Sequence, residues 1–328
     1  MRASFRAAPS SLTGARQSRN RPCMAAMRST TRKAPRSLLY GGGMCKACAT
    51  KSERTTMTLP LLGTALLYDH FATLRPWICD AGRAIEIQDF VTPNLGETET
   101  ADLIAAWQRV LPAQTGPRGI HGPFFGLDLG NPDREIRAII TRRFLWGLEI
   151  AEALAATHMV VHSPFSYWLH LNRANYPHIE PAIFDAAAEC LAPVLARAAD
   201  VGCTLMLENI DDTDPSARVR LVQTLDHPNL RVSLDTGHAE LAHGQYRAPP
   251  VVDFIAAAGD LLGHVHLQDA DGYADRHWHP GDGRIPWRPV FTALAEYAQN
   301  PRLILEVRGD HARLPETVAR LETLGLAR

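Results

Sequence analysis

From Gly63 to Leu324, short apolar runs alternate with longer helical ones, and that rhythm restricts the fold more than any other feature. The strand-like runs are Gly63–Tyr68, Ala84–Phe90, Arg118–Phe124, His158–Phe165, Thr204–Asn209, Leu230–Leu234, Gly263–Leu267 and Arg302–Val307. Helical stretches are expected at Glu99–Val110, Pro132–Ala156, Glu180–Asp200, Pro215–Leu225, Val251–Leu262, Trp287–Gln299 and Leu314–Leu324, with His70–Cys79 a helical or irregular link. In Pro132–Ala156 the apolar residues Ile136, Ile139, Ile140, Phe144 and Leu148 fall at helical spacing. Asp133 stands where a capping acid belongs, and Pro181 is tolerated in a first helical turn. Eight such units in about 270 residues are the count and size of an α/β fold of the (β/α)8 TIM barrel type. A doubly wound open sheet would want a Gly-rich phosphate loop after an early strand, and the chain has none.

The front end is different in kind. Residues 1–56 hold twelve Lys and Arg and one acid, Glu53, with few aromatics and no apolar period. Such a segment buries little, so residues 1–57 are expected to be a disordered tail and 58–328 the TIM barrel catalytic domain. An Arg- and Ser-rich, acid-poor composition also describes an organellar transit peptide. A third reading makes Met57 the true first residue, since the first strand-like run follows it at once. Cys45 and Cys48 form a lone CxxC in the tail with no second pair, and Cys23, Cys79, Cys190 and Cys203 show no framework spacing. A reducing, cytoplasmic setting is expected. No window approaches the roughly 18 uninterrupted apolar residues of a membrane span.

The polar residues of the strands fall in one place. The third ends in His121, the fourth in His162, the fifth in Glu208, the sixth in Asp235, the seventh in His266 and the eighth in Glu306. The carboxyl ends of barrel strands are where active sites are built. Three carboxylates and three imidazoles buried together cost many kcal/mol without a cation, so a divalent metal is expected. The stretch Gly263–Trp287 extends the set, with His264, His266, His277 and His279 beside Asp269, Asp271, Asp275 and Asp282. Its front half alternates like a strand, and the rest is a Gly/Pro-rich loop.

Residues 57–328 contain 22 basic and 34 acidic residues, a balance of about −12 with His neutral, and no Lys. The charge is a poor match to a phosphate backbone unless a local patch compensates. The missing Lys excludes a Schiff-base aldolase and a Walker-type phosphate loop. Cys203 opens a strand far from the mouth and Cys190 is mid-helix, so neither suits a nucleophile.

The motifs HGPF (121–124), VVHSPF (160–165), LEN (207–209), LDTGH (234–238), HVHLQD (264–269), DRHWHPGDGRIPW (275–287) and LEV (305–307) occur in this order. Together they resemble the xylose-isomerase-like TIM barrels, over roughly Gly63 to Leu324. That superfamily includes sugar-phosphate isomerases and epimerases and the endonuclease IV apurinic endonucleases. In the isomerase and epimerase branch the resemblance implies one Mn²⁺, Mg²⁺, Co²⁺ or Zn²⁺ held by Glu208, Asp235, His266 and Glu306. Glu208 and Glu306 are also implied as the acid/base pair, and His238 as a contact to substrate oxygens. In the endonuclease branch the resemblance implies up to three zinc ions, with His121, His162, His238, Asp275 and His277 as further ligands.

The first branch sets the expectation: a metal-dependent sugar or sugar-phosphate isomerase or epimerase working through an enediolate on a small polyhydroxy substrate. His238, His121, His162, His279 and Arg276 are its candidate substrate contacts. The lack of Lys argues against a hydride shift of the xylose isomerase kind. The alternative is a zinc phosphodiesterase acting on an abasic nucleic acid or a small phosphodiester, for which Asp275 and His277 are the most informative residues. Nucleic acid is the less favoured partner, no membrane is implied, and an oligomer is compatible with the sequence. Glu86 lies in the second strand on a face that parity alone leaves open. His264 is expected to be a satisfied core histidine. Tyr167, Trp168 and Arg308 are weighed as pocket-wall and phosphate-contacting residues.

Overall fold

The structure is a computed structural model, and it describes residues 59–328. The expectations for the tail, its CxxC included, lie outside the described residues. The strands are β1 (Gly63–Leu66), β2 (Ile85–Ile87), β3 (Arg118–His121), β4 (His158–His162), β5 (Thr204–Glu208), β6 (Leu230–Asp235), β7 (Leu262–Leu267) and β8 (Arg302–Leu305). They form a closed barrel in sequence order, every pair parallel, with β1 meeting β8 through Gly63–Ile304 and Thr64–Leu305. The fold is the expected (β/α)8 barrel.

The helices are α1 (Tyr68–Asp80), α2 (Glu97–Val110), α3 (Arg134–Ala153), α4 (Tyr167–Asn172), α5 (Ile179–Asp200), α6 (Pro215–Leu225), α7 (Thr236–Tyr246), α8 (Val251–Ala258), α9 (Trp287–Tyr297) and α10 (Leu314–Thr323). Asp133 caps α3, accepting the N–H groups of Glu135 at 2.8 Å and Ile136 at 3.3 Å. Outward strand residues such as Ile120, Leu205 and Leu207 pack with Ile140, Phe144, Leu148, Leu191 and Val194 in one apolar core. A side chain of that size contributes about 1.5–3 kcal/mol on full burial. None of the described helices is long and apolar enough to cross a membrane.

Two helices escape the sequence pattern. The short α4 lies in what reads as a loop, capped by Ser166, whose Oγ accepts the Leu169 N–H at 3.3 Å. The other is α7, where Thr236, Gly237, His238, Ala239, Glu240 and Ala242 are all buried. Burial on most sides removes the apolar stripe by which a surface helix is recognised. The expected strands Ala84–Phe90 and Arg302–Val307 are trimmed to Ile85–Ile87 and Arg302–Leu305, so Glu306 stands just beyond its strand. The expected helix Val251–Leu262 ends at Ala258 and passes through a 3-10 turn, Gly259–Leu261, into β7.

Candidate metal centre

At the mouth of the barrel, β5, β6, β7 and the residue after β8 present Glu208, Asp235, His266 and Glu306. All four are buried, and one ligand atom from each lies within 4.8 Å of the others. His266 Nδ1 is 2.5 Å from Glu208 Oε1 and 3.2 Å from Glu306 Oε2. Gln88, just past β2, donates to Glu306 Oε1. Asp235 is the cap of α7: its Oδ1 accepts the His238 N–H at 2.7 Å, which turns strand into helix at the site. Asn209 ties β5 to β6, accepting the Asp235 N–H at 2.8 Å and donating to the Asp235 carbonyl at 3.0 Å.

Two further sets adjoin this one. His121 and His162 each place Nε2 3.6 Å from Glu208 Oε2. That oxygen is buried and has no hydrogen-bond partner. His121 donates its Nδ1–H to the Gly122 carbonyl at 2.9 Å, which leaves Nε2 to face the carboxylate. Phe124 stacks on His162 with ring centroids 4.4 Å apart. On the opposite flank stand His238, Asp275 and His277. His238 Nε2 is 3.4 Å and His277 Nε2 3.1 Å from Asp275 Oδ1. His238 donates Nδ1–H to the Asn209 carbonyl at 2.9 Å. The His277 backbone takes a left-handed φ of 49°, a conformation that costs energy for a side chain of this kind.

Gln268 joins the first set to the last. Its Nε2 donates to Asp235 Oδ1 and to Asp275 Oδ1, both at 3.1 Å, and its Oε1 accepts the His277 N–H at 2.8 Å. A Cβ on Gly237 would sit 2.2 Å from this amide, so the close approach of α7 depends on glycine there.

The charge balance shows what the cluster lacks. Burial alone raises the carboxyls of Glu208 and Glu306, but the facing imidazoles, His266 foremost, outweigh it and hold both below the usual range. Asp235 is pushed up to about 6 by burial, partly offset by His238 and reinforced by Glu208 and Glu306. Burial lowers His266 and His238, yet the carboxylates around them carry both well above the ordinary imidazole value. His121 and His277 are raised in the same way, while burial drops His162 to about 3. The carboxylates thus favour the protonated imidazoles of His266, His238, His121 and His277. A divalent cation fits the same donors: carboxylate oxygens and imidazole nitrogens converge, and Glu208 Oε2 is left orphaned without one.

The loop from Asp269 to Trp287 is folded around a carboxylate. Asp269 Oδ1 accepts the N–H groups of Ala270 at 2.9 Å and Ile285 at 3.1 Å. Its Oδ2 accepts Gly281 N–H at 2.7 Å and the Trp287 indole N–H at 2.8 Å. This knot holds the arm that carries Asp275 and His277.

Of the candidate substrate contacts named from the sequence, His279 and Arg276 stand apart from the cluster. His279 is buried with Nδ1 2.8 Å from Thr317 Oγ1 and Nε2 3.1 Å from the Asp310 carbonyl, so its ring nitrogens serve the packing of α10. Arg276 pairs with Asp271 at 2.8 Å and lies over the Trp278 ring, within the loop. Tyr167 stacks on Tyr246 with centroids 4.1 Å apart, Trp168 is half-exposed, and Arg308 is exposed. His264 is a core histidine, 2.9 Å from Ser233 Oγ through Nδ1. Glu86 faces the barrel interior and is wholly buried. Sequence reasoning passed over Gln88, Asn209 and Gln268, and named Asp269 only among the loop's acids. The last three sit inside the quoted motifs, beside the ligand candidates they hold.

The chain is 26% identical over 194 residues to the D-psicose 3-epimerase of Ruminiclostridium cellulolyticum, covering 57% of this chain and 61% of that one. The chain thus spans about three-fifths of the length of the curated relatives it matches. Among solved structures it resembles the TTHB071 protein from Thermus thermophilus, soaked with ZnCl2, at 28% identity and a TM-score of 0.61, covering 81% of this chain and 99% of that one. A D-tagatose 3-epimerase-like protein shares the fold at 21% identity and a TM-score of 0.63, over 81% and 97% of the two chains. The family described as xylose isomerase-like TIM barrels matches residues 85–324, and with the closed barrel and the site at its mouth the chain belongs to that family.

Proposed function

We propose that the chain is a divalent-metal-dependent isomerase or epimerase of a sugar or sugar phosphate, working by proton transfer through an enediolate. The observation that carries this is the pair Glu208 and Glu306, both held ionised on either side of His266 Nδ1 in a buried carboxylate–imidazole set. The likeness to a D-psicose 3-epimerase supports it.

Mn²⁺, Co²⁺, Mg²⁺ or Zn²⁺ held by Glu208, Asp235, His266 and Glu306 supplies positive charge beside the substrate's carbonyl and hydroxyl oxygens. The chain's own groups do the rest. One ionised glutamate takes the proton from the carbon next to the carbonyl; the other takes a proton from solvent and delivers it to the opposite face of the enediolate, and the first then gives its proton up to solvent. Gln88 fixes Glu306 in place for that transfer. His121 and His162 on one flank and His238 on the other are the candidate contacts to substrate oxygens. Glu306→Gln keeps the shape and removes the proton acceptor, so turnover should vanish while the barrel still folds. Undiminished turnover would refute the assignment.

One observation favours a second reading. Glu208 is shared between the first set and His121/His162, and His238, Asp275 and His277 form a third set beside them. A centre of up to three zinc ions on these nine residues suits phosphodiester cleavage. Metal content per chain separates the two: one exchangeable ion supports the epimerase, and about three zinc ions support the phosphodiesterase.

A further inference from the structure

Below the candidate metal centre the barrel is polar where barrels are usually filled with branched apolar side chains. Glu86 of β2 is at its centre, with no exposed surface. Its Oε1 lies 2.8 Å from His266 Nε2. Its Oε2 lies 3.2 Å from His158 Nε2 and 3.0 Å from His264 Nε2.

The floor of the barrel settles one proton. Arg302 donates to His158 Nδ1, and a guanidinium has no acceptor. His158 Nδ1 is therefore the acceptor nitrogen, and Nε2 carries the hydrogen that points at Glu86. The Gly119 position is open for this ring: a Cβ there would lie 1.9 Å from it. Ser233 Oγ, which both donates and accepts, faces His264 Nδ1 at 2.9 Å and holds that ring beside Glu86. A carboxylate accepts the His158 N–H without loss of its charge. His158 and His266 hydrogen-bond the carboxylate from two sides, and the His264 ring lies 3.0 Å from it.

We propose that Glu86 is a positioning residue: it takes the Nε2–H of His266 and so commits Nδ1, 2.5 Å from Glu208 and 3.2 Å from Glu306, to the metal. A carboxylate behind a ligating imidazole fixes the ring's tautomer and orientation and raises its basicity. His158, itself held by Arg302, in turn anchors Glu86, so the set-up reaches from the floor of the barrel to its mouth. This rests on the metal-binding reading of the site above it.

The test uses the zinc-loaded protein with ¹⁵N-labelled histidine. Long-range ¹H–¹⁵N correlation should show His266 bound through Nδ1 with a protonated Nε2. Competition with a chromophoric chelator should show Glu86→Gln binding Zn²⁺ about 10–100-fold more weakly, at an unchanged far-UV circular dichroism spectrum. Coordination of His266 through Nε2, or equal zinc affinity in wild type and variant, overturns the role of Glu86 and leaves the metal reading standing. A wild type that takes up no zinc overturns both. Should Glu86→Gln fail to fold, the nitrogen shifts of the wild type decide alone.

Discussion

His266 Nδ1 lies 2.5 Å from Glu208 Oε1, although 58 residues separate them in the chain. The barrel brings them together: β5 and β7 flank β6, and Glu208 and His266 stand at the same end. An imidazole nitrogen so close to a carboxylate holds either a proton or a cation between the partners. Glu208→Gln removes the charge without changing the shape. Metal affinity should fall by at least the 10–100-fold typical of a lesser, supporting partner, and turnover should be lost; isothermal calorimetry and a coupled epimerase assay read the two separately.

On the proposed reading, a cation competes with protons for the cluster. His266 and His238 are held well above the ordinary imidazole value by the surrounding carboxylates, and His121 and His277 are raised as well. A cation at the proposed site must displace the His266 Nδ1 proton, so apparent affinity should rise with pH across the range above about 6.5. Calorimetric titrations in buffers of differing ionisation enthalpy should show net proton release, and more of it at pH 6.5 than at pH 8.5.

Gln268 makes one arrangement of two sets, bonding Asp235, Asp275 and the His277 N–H at once. Leucine of similar volume leaves all three without their partner. Gln268→Leu should cost about 10–100-fold in metal affinity while the barrel melts as a single transition. Metal titration of the variant checks this.

Asp269 accepts four N–H groups that organise the Asp269–Trp287 loop. In Asp269→Asn, one oxygen becomes a donor aimed at donors. The loss should be on the order of 2–4 kcal/mol, since orphaned buried donors cost about 1–3 kcal/mol each. Urea denaturation followed by tryptophan fluorescence gives the value, with Trp287 itself a reporter.

His158 provides a pH test remote from the mouth. Burial, reinforced by His264 and Arg302 against the pull of Glu86, drops its value from 6.5 to about 3. Between those values the unfolded chain binds a proton at this ring and the folded chain does not. Its contribution to stability is therefore present above 6.5 and is lost as pH falls, by about 1.4 kcal/mol per unit. The stability advantage of wild type over His158→Gln should shrink at that rate from pH 6.5 to 5; an advantage that stays constant would refute a neutral buried His158.

The fold was legible because a parallel barrel writes each strand as a short apolar run and each helix with its own spacing. The mouth was legible because a buried His, Asp or Glu at a strand end contradicts that run. His121, His162, Glu208, Asp235, His266 and Glu306 were all marked in this way. Helix α7 was hidden by its burial on most sides, and α4 by its length. His279 misled because a His in a polar loop looks free, whereas here Thr317 and the Asp310 carbonyl occupy its ring. Glu86 was ambiguous because a three-residue strand fixes no parity, and its partners His158, His264 and His266 come from two distant strands. Gln88 and Gln268 carry no chemistry that sequence alone marks, and Asp269, marked only as one acid among several, has a role that lies in whom it touches.

The most direct test of the account is solvent deuterium exchange. The metal-loaded protein is incubated in D2O with a panel of ketohexoses and their phosphates, and products are read by ¹H NMR. Proton transfer by Glu208 and Glu306 predicts deuterium at one carbon beside the carbonyl, an epimeric product, and loss of both in Glu306→Gln. A metal-loaded enzyme that exchanges no carbon-bound proton on any of them, while cleaving a phosphodiester, would contradict it.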